Sequence, residues 1–124
     1  YVAVTNYGVP RLTVIQLPGG VQRHVPMPGT GGWGIAGTPD GSRLYVQGAG
    51  GWLAEVDPIL ATRVRHVGAI ASEGALALTP DGARLYYATQ NDPLQVFDTN
   101  PLEVRAPLST GPAALVDMAP DGSR

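Results

Sequence analysis

The segment Thr38-Pro39-Asp40-Gly41-Ser42-Arg43-Leu44-Tyr45-Val46 returns as Thr79-Pro80-Asp81-Gly82-Ala83-Arg84-Leu85-Tyr86-Tyr87 and begins a third time as Ala119-Pro120-Asp121-Gly122-Ser123-Arg124. The prolines stand 41 and then 40 residues apart. A second motif keeps the same phase: Leu12-Thr13-Val14-Ile15-Gln16, Leu53-Ala54-Glu55-Val56-Asp57 and Leu94-Gln95-Val96-Phe97-Asp98 follow one another at steps of 41. Two unrelated motifs in phase over three copies make the 124 residues an array of one structural unit rather than one ordinary domain.

The unit is built from strands. The chain holds 17 Gly and 12 Pro, and its longest stretch free of both is ten residues, Ala83 to Asp92. Gly and Pro inside a helix cost about 1 and about 3 kcal/mol respectively, so an all-α protein is excluded and a doubly wound α/β fold is disfavoured. Within one period Trp33 to Thr38 reads as a short strand of small residues, Pro39 to Ser42 as a tight turn, Arg43 to Gln47 as a second strand, Trp52 to Asp57 as a third and Thr62 to Val67 as a fourth. In the turn Pro presets φ, Asp caps its own turn and Gly takes a positive φ. Four short hairpin-connected strands in about 41 residues predict an all-β protein, a β-propeller with four-stranded antiparallel blades.

The first strands, Gly34-Ile35-Ala36-Gly37 and Ala75-Leu76-Ala77-Leu78, carry no charge and little alternation. That is the mark of strands packed on both faces, and small residues suit the crowded position nearest a propeller axis. Ile35, Leu44, Leu76 and Leu85 are accordingly expected between blades. The fourth strands carry Arg23, His24, Arg63, Arg65, His66, Glu103 and Arg105, which suit a wet outer rim.

The run Trp33-Gly34-Ile35-Ala36-Gly37-Thr38-Pro39-Asp40-Gly41-Ser42-Arg43-Leu44-Tyr45-Val46, with Val56-Asp57 one hairpin later, resembles the YVTN family of β-propeller repeats, and the resemblance covers essentially the whole chain. The namesake tetrapeptide is imperfect: Tyr1-Val2 and Thr5-Asn6 are separated by Ala3-Val4. The resemblance implies a bacterial protein of the periplasm, surface or secreted fraction. It also implies kinship with blades found in sugar-lactone hydrolases and in the propeller subunits of periplasmic amine dehydrogenases.

The phase of the repeats divides the chain into strands two to four of one blade (1–32), a blade (33–73), a second blade (74–113) and the first strand of a further one (114–124). That content is expected to be part of a longer propeller. The alternative is self-association through open blade edges, with the strand from Ala114 completing the blade of a second copy.

Eight Arg face ten Asp and Glu, with no Lys, and charged residues make up 15%. There is no basic stripe for a nucleic-acid partner and no apolar run long enough for a membrane span. The absence of Cys excludes disulfides, thiolate metal sites and a Cys nucleophile. The Asp-Gly pairs lack the alternating oxygen ligands of a calcium loop. Gly29-Thr30-Gly31-Gly32 precedes a strand and not the helix N-terminus of a phosphate cradle. His24 lies eight residues after Gln16 and His66 nine after Asp57, so the two are expected on opposite faces of their outer strands and far from any shared metal. No cofactor, metal site or catalytic residue is assigned.

Ligands of propellers gather at the mouth of the axial channel, on the loops entering each first strand and joining strands two and three. The ligand-binding candidates there are Asn6, Tyr7, Trp33, Glu73, Asn91 and Asp92, with Asp117 as a charge in an inner-strand register shared with Ala36 and Ala77. Tyr45 and Tyr86 repeat at one position and read as interblade packing; Trp33 and Trp52 read as packing or as a stacking pair for a ring-shaped ligand. The function expected is a rigid binding or interaction scaffold with a ligand or protein partner at the channel mouth, part of a longer exported bacterial protein. The alternative is the propeller portion of an enzyme, a lactone hydrolase or a periplasmic dehydrogenase subunit.

Overall fold

The computed structural model describes residues 1–5, 8–29, 32–48, 51–68, 74–89 and 94–105. They form three antiparallel sheets, each a simple meander. The first has three strands, β1 (Val2–Thr5), β2 (Arg11–Ile15) and β3 (Gln22–Pro26). The second has four, β4 (Gly32–Gly37), β5 (Leu44–Gly48), β6 (Trp52–Asp57) and β7 (Thr62–Val67). The third repeats that order with β8 (Gly74–Leu78), β9 (Arg84–Thr89), β10 (Gln95–Thr99) and β11 (Leu102–Val104). This is the expected all-β architecture of propeller blades.

The hairpin turns form as their chemistry dictates. Gly41 donates its N–H to the Thr38 carbonyl at 2.9 Å, and Gly41 takes a φ of 74°. Gly82 does the same with Thr79 at 2.8 Å and a φ of 73°. A Cβ at that φ would be strained, so the repeat keeps Gly there.

Two layers of apolar side chains hold the sheets together. Between the first and second sheets lie Leu12, Val14, Val25, Leu44, Val46 and Val56, all buried. Between the second and third lie Tyr45, Leu53, Leu85, Tyr87, Phe97 and Leu102. The second sheet therefore serves both layers. Leu44 and Val46 point one way and Tyr45 the other, which is why all five residues of β5 are buried and the strand shows no polar alternation.

The inner strands β4 and β8 lie against each other, and their small residues are explained by contact distance. A Cβ on Gly34 would stand 3.2 Å from the Gly74 carbonyl oxygen and 3.3 Å from Leu76 Cγ. One on Gly74 would fall 2.0 Å from the Ala88 carbonyl oxygen, so the backbone would have to move. Gly74→Ala is expected to cost about 1–3 kcal/mol as overpacking, read as a lower urea midpoint at unchanged slope.

Ile35 corrects an expectation. Leu44 and Leu85 are buried and Leu76 is half-buried, but Ile35 is 39% exposed. It pairs with Val46 and so faces the first sheet. There, among the described residues, no strand lies inside β1 to cover it. Leu76 escapes that fate because β4 lies over it.

A second correction concerns the histidines. His24 pairs with Thr13 and His66 with Ala54, which are equivalent positions of the repeat. The two rings thus face the same way around the array. The extra residue in the His66 spacing is absorbed by a bulge: Glu55 pairs with Arg65 and Val56 with Arg63, leaving Val64 unpaired. Both histidines are exposed, and the Thr13 hydroxyl lies 3.1 Å from His24 Nδ1. Among the described residues no group of acidic, His or Cys side chains is placed to hold a metal ion.

Candidate functional site

Three equivalent cross-strand rows run outward through the sheets. In the first sheet the row is Ala3, Val14 and Arg23. In the third it is Ala77, Tyr86 and Val96, with the Arg105 N–H bonded to the Val96 carbonyl. In the second it is Ala36, Tyr45, Glu55 and Arg65. The middle of the row is valine twice, Val14 and Val96, both buried, and Glu55 once. Glu55 is itself buried, at 4% exposure. A carboxylate replaces an aliphatic side chain at a position the fold itself packs with valine.

Burying a carboxylate is unfavourable unless it is paired. Two guanidinium groups flank this one: Arg43 Nε stands 3.4 Å from Oε2 and Arg65 Nε 3.8 Å from Oε1. Arg43 is held in turn by Asp57 at 3.3 Å and by the Ser42 carbonyl at 2.7 Å. Even so, Glu55 Oε1 makes no hydrogen bond among the described residues.

Glu55 forms part of the wall of a cleft of about 560 Å³ between the second and third sheets. Arg43, Tyr45 and Arg65 share that wall. The bulged Val64 stands at 40% exposure on the same wall. The turn residues Asp40 and Asp81, with Thr99 and Asn100, complete the lining from both sheets. Tyr45 spans the seam, sharing a hydrogen bond with Thr99, whose hydroxyl donates to the Gly82 carbonyl at 2.5 Å. Burial pushes the Tyr45 hydroxyl pKa up, and the neighbouring Glu55 carboxylate adds to the shift.

Both acidic turns are braced alike. Asp40 Oδ1 accepts from the Ser42 N–H at 3.0 Å, the Ser42 hydroxyl at 2.7 Å and the Thr38 hydroxyl at 2.7 Å. Asp81 Oδ1 accepts from the Thr79 hydroxyl at 2.6 Å and the Ala83 N–H at 2.9 Å. Those bonds favour the charged form. They hold Asp40 at about 2, the Ser42 N–H contributing most, and lower Asp81 mainly through the Thr79 hydroxyl. A carboxyl whose folded pKa is depressed supports the fold above its unfolded pKa and loses that support as pH falls through the folded value. Thermal stability is therefore expected to drop as pH falls from the ordinary 3.8 towards about 2. Melts of the Asp40→Asn/Asp81→Asn variant should show a smaller drop over that window.

The cleft lies at the end of the sheets that carries the Pro-Asp-Gly turns. Asn6, Tyr7, Glu73, Asn91, Asp92 and Asp117 lie outside the described residues. Trp33 lies in β4, where the pairing with β5 shifts register between Gly32 and Gly34. Trp52 is 6% exposed within the first core layer, and its indole N–H has no hydrogen-bond partner among the described residues. It is packing and not half of a stacking pair. Glu55 was missed as a site residue, although the alignment of the three Leu-initiated motifs already sets it against two valines.

No protein-family model matches the chain, and no curated protein sequence does either. Solved structures do. The chain is similar to hydrazine synthase of Kuenenia stuttgartiensis, with a TM-score of 0.84 and 22% identity over 97% of this chain and 36% of that one. It is similar to AztD of Citrobacter koseri, with a TM-score of 0.75 and 16% identity over 90% of this chain and 33% of that one. It is also similar to the dihydro-heme d1 dehydrogenase NirN, with a TM-score of 0.81 and 19% identity over 95% of this chain and 27% of that one. The chain spans 27–36% of the length of these proteins. At such identities the likeness is one of fold, the β-propeller. Among the described residues no helix is long and apolar enough to cross a membrane.

Proposed function

We propose that the chain is a β-propeller repeat module of the YVTN type that works as a rigid binding scaffold in a longer exported bacterial protein. Its units would be 1–32, 33–73, 74–113 and 114–124. The observation that carries the reading is the cleft of about 560 Å³ between the second and third sheets. Its volume falls in the range of small-ligand sites. Tyr45, Glu55, Val64, Arg65 and Thr99 line it from strands, and the rest of the wall comes from turns, of which the two Pro-Asp-Gly turns are braced by their own hydrogen bonds, so much of the lining is held in place before any ligand arrives. Export is an inference from the YVTN resemblance.

The test is a ligand-observed NMR screen of the chain with neutral sugars, ammonium compounds and carboxylates, beside a Val64→Trp variant that fills the cleft. At least one class should bind, and bind the variant about tenfold or more weakly, as loss of one well-made contact implies. No binding, or binding indifferent to Val64→Trp, would remove the reading. The propeller portion of an enzyme stands as a second reading, favoured by the enzymes among the fold neighbours, hydrazine synthase and a dehydrogenase.

A further inference from the structure

We infer that Glu55 is a positioning residue of the cleft between the second and third sheets: its buried carboxylate draws the Arg65 guanidinium back from the seam, and so keeps open a space that the equivalent arginine, Arg23, bridges between the first and second sheets. The inference deepens the scaffold reading, on which its functional meaning rests, by naming the residue that holds the binding cleft open.

The repeat supplies the comparison. Arg23 pairs with Val14 and Arg65 with Glu55, and Val14 and Glu55 stand 41 residues apart, so the two arginines occupy one position of the unit. Arg23 crosses its seam: Nη1 donates to the Ile59 carbonyl, in the turn between β6 and β7, at 3.3 Å. The residue equivalent to Ile59 in the third sheet is Asn100. It too stands 41 residues on, and the two turns match in length, because Asp57 pairs with Thr62 and Asp98 with Glu103. Among the described residues no hydrogen bond joins Arg65 to Asn100. Both line the cleft instead, and Arg65 Nε stands 3.8 Å from Glu55 Oε1.

Charge accounts for the difference. Val14 is apolar and makes no claim on Arg23, which is left to bond a neutral carbonyl. Glu55 is buried, with a side chain 6% exposed, and a buried carboxylate has to be compensated. Arg43 does so only in part, because its guanidinium also serves Asp57 at 3.3 Å and the Ser42 carbonyl at 2.7 Å. Arg65 supplies the rest. Attraction between full charges across 3.8 Å, one of them shielded from water, outweighs a bond from an exposed guanidinium to a neutral oxygen, for which water competes. Asp40 and Asp81 share the cleft, but among the described residues neither forms an ion pair with Arg65, and their Oδ1 atoms are committed to their own turns. Glu55 thus acts from behind the wall and needs no contact with a ligand. The competing cause is the bulge. Val64 is an extra residue beside Arg65 that β3 lacks, and a bulge re-aims its neighbours.

The experiment is a crystal structure of Glu55→Val, joined in solution by NOEs from the arginine side chains of the wild-type chain, Glu55→Val and Val14→Glu. Glu55→Val keeps the bulge and removes the charge, so it separates the two causes. Its Arg65 guanidinium is expected at hydrogen-bond distance, about 3 Å, from an oxygen of Asn100. Arg65 should gain NOEs to Asn100 that the wild-type chain lacks, while Arg23 keeps those to Ile59. Val14→Glu, the reverse substitution, should draw Arg23 inward and abolish its NOEs to Ile59. An Arg65 that stays clear of Asn100 in Glu55→Val would overturn the inference and assign the open seam to the bulge. Arg23 still in contact with Ile59 in folded Val14→Glu would overturn it too, and Glu55→Val decides alone if Val14→Glu does not fold. No ligand enters these measurements, so their failure leaves the scaffold reading standing, and a failed ligand screen leaves the position of Arg65 unaffected.

Discussion

Glu55→Val is expected to make the chain more stable, by about 1–3 kcal/mol, the cost of keeping a buried acceptor without its hydrogen bond. The substitution copies what the molecule already does at Val14 and Val96. It removes a buried acceptor that has no hydrogen bond among the described residues and places a β-branched residue where a strand favours one. The arginines are not stranded by it. Arg43 keeps Asp57 at 3.3 Å, and the side chains of Arg43 and Arg65 are 37% and 43% exposed, within reach of water. Urea unfolding should show a higher midpoint with an unchanged slope. A lower midpoint would mean that the ion pairs hold the second and third sheets together, and that Glu55 is structural.

Phe97→Ala is expected to have the opposite and larger effect, a loss of about 3–5 kcal/mol, as for large aromatic truncations in cores. Phe97 is fully buried in the layer between the second and third sheets, with Tyr45, Leu53, Leu85 and Tyr87. These neighbours belong to three β-strands hydrogen-bonded on their own edges, so they cannot collapse into the cavity without breaking register. Measured by urea or thermal unfolding, a loss below about 1 kcal/mol would show that the layer relaxes as a loose contact between independent sheets.

The fold was legible because two motifs repeat in phase and because the turn residues have one conformational solution. Gly41 and Gly82 stand at almost the same φ, and Thr38 and Thr79 close their hairpins with the same bonds. Ile35 was not legible, because an apolar inner strand is buried only where a neighbour covers it, and the count of strands in the next sheet is not a property of the strand itself. The histidine phase failed for a different reason: spacing alone does not show where a bulge such as that at Val64 absorbs a residue. Glu55 was legible in principle. Alternation says nothing about inside and outside in a sheet packed on both faces, so Glu55, two residues from Asp57 in β6, reads as ordinary from its own strand. Only comparison with Val14 and Val96 reveals it.

The burial of β5 along its whole length has a consequence for deuterium uptake. Each of its residues faces one or the other of the two apolar layers, and its backbone is bonded on both sides, to β4 and β6. Opening either layer alone leaves those bonds in place. Amides of β5 should thus exchange last, at a rate set by unfolding of the chain as a whole, while those of the exposed β7 exchange through local opening. One strand in the middle of the array thereby reports whether the sheets unfold together or one at a time.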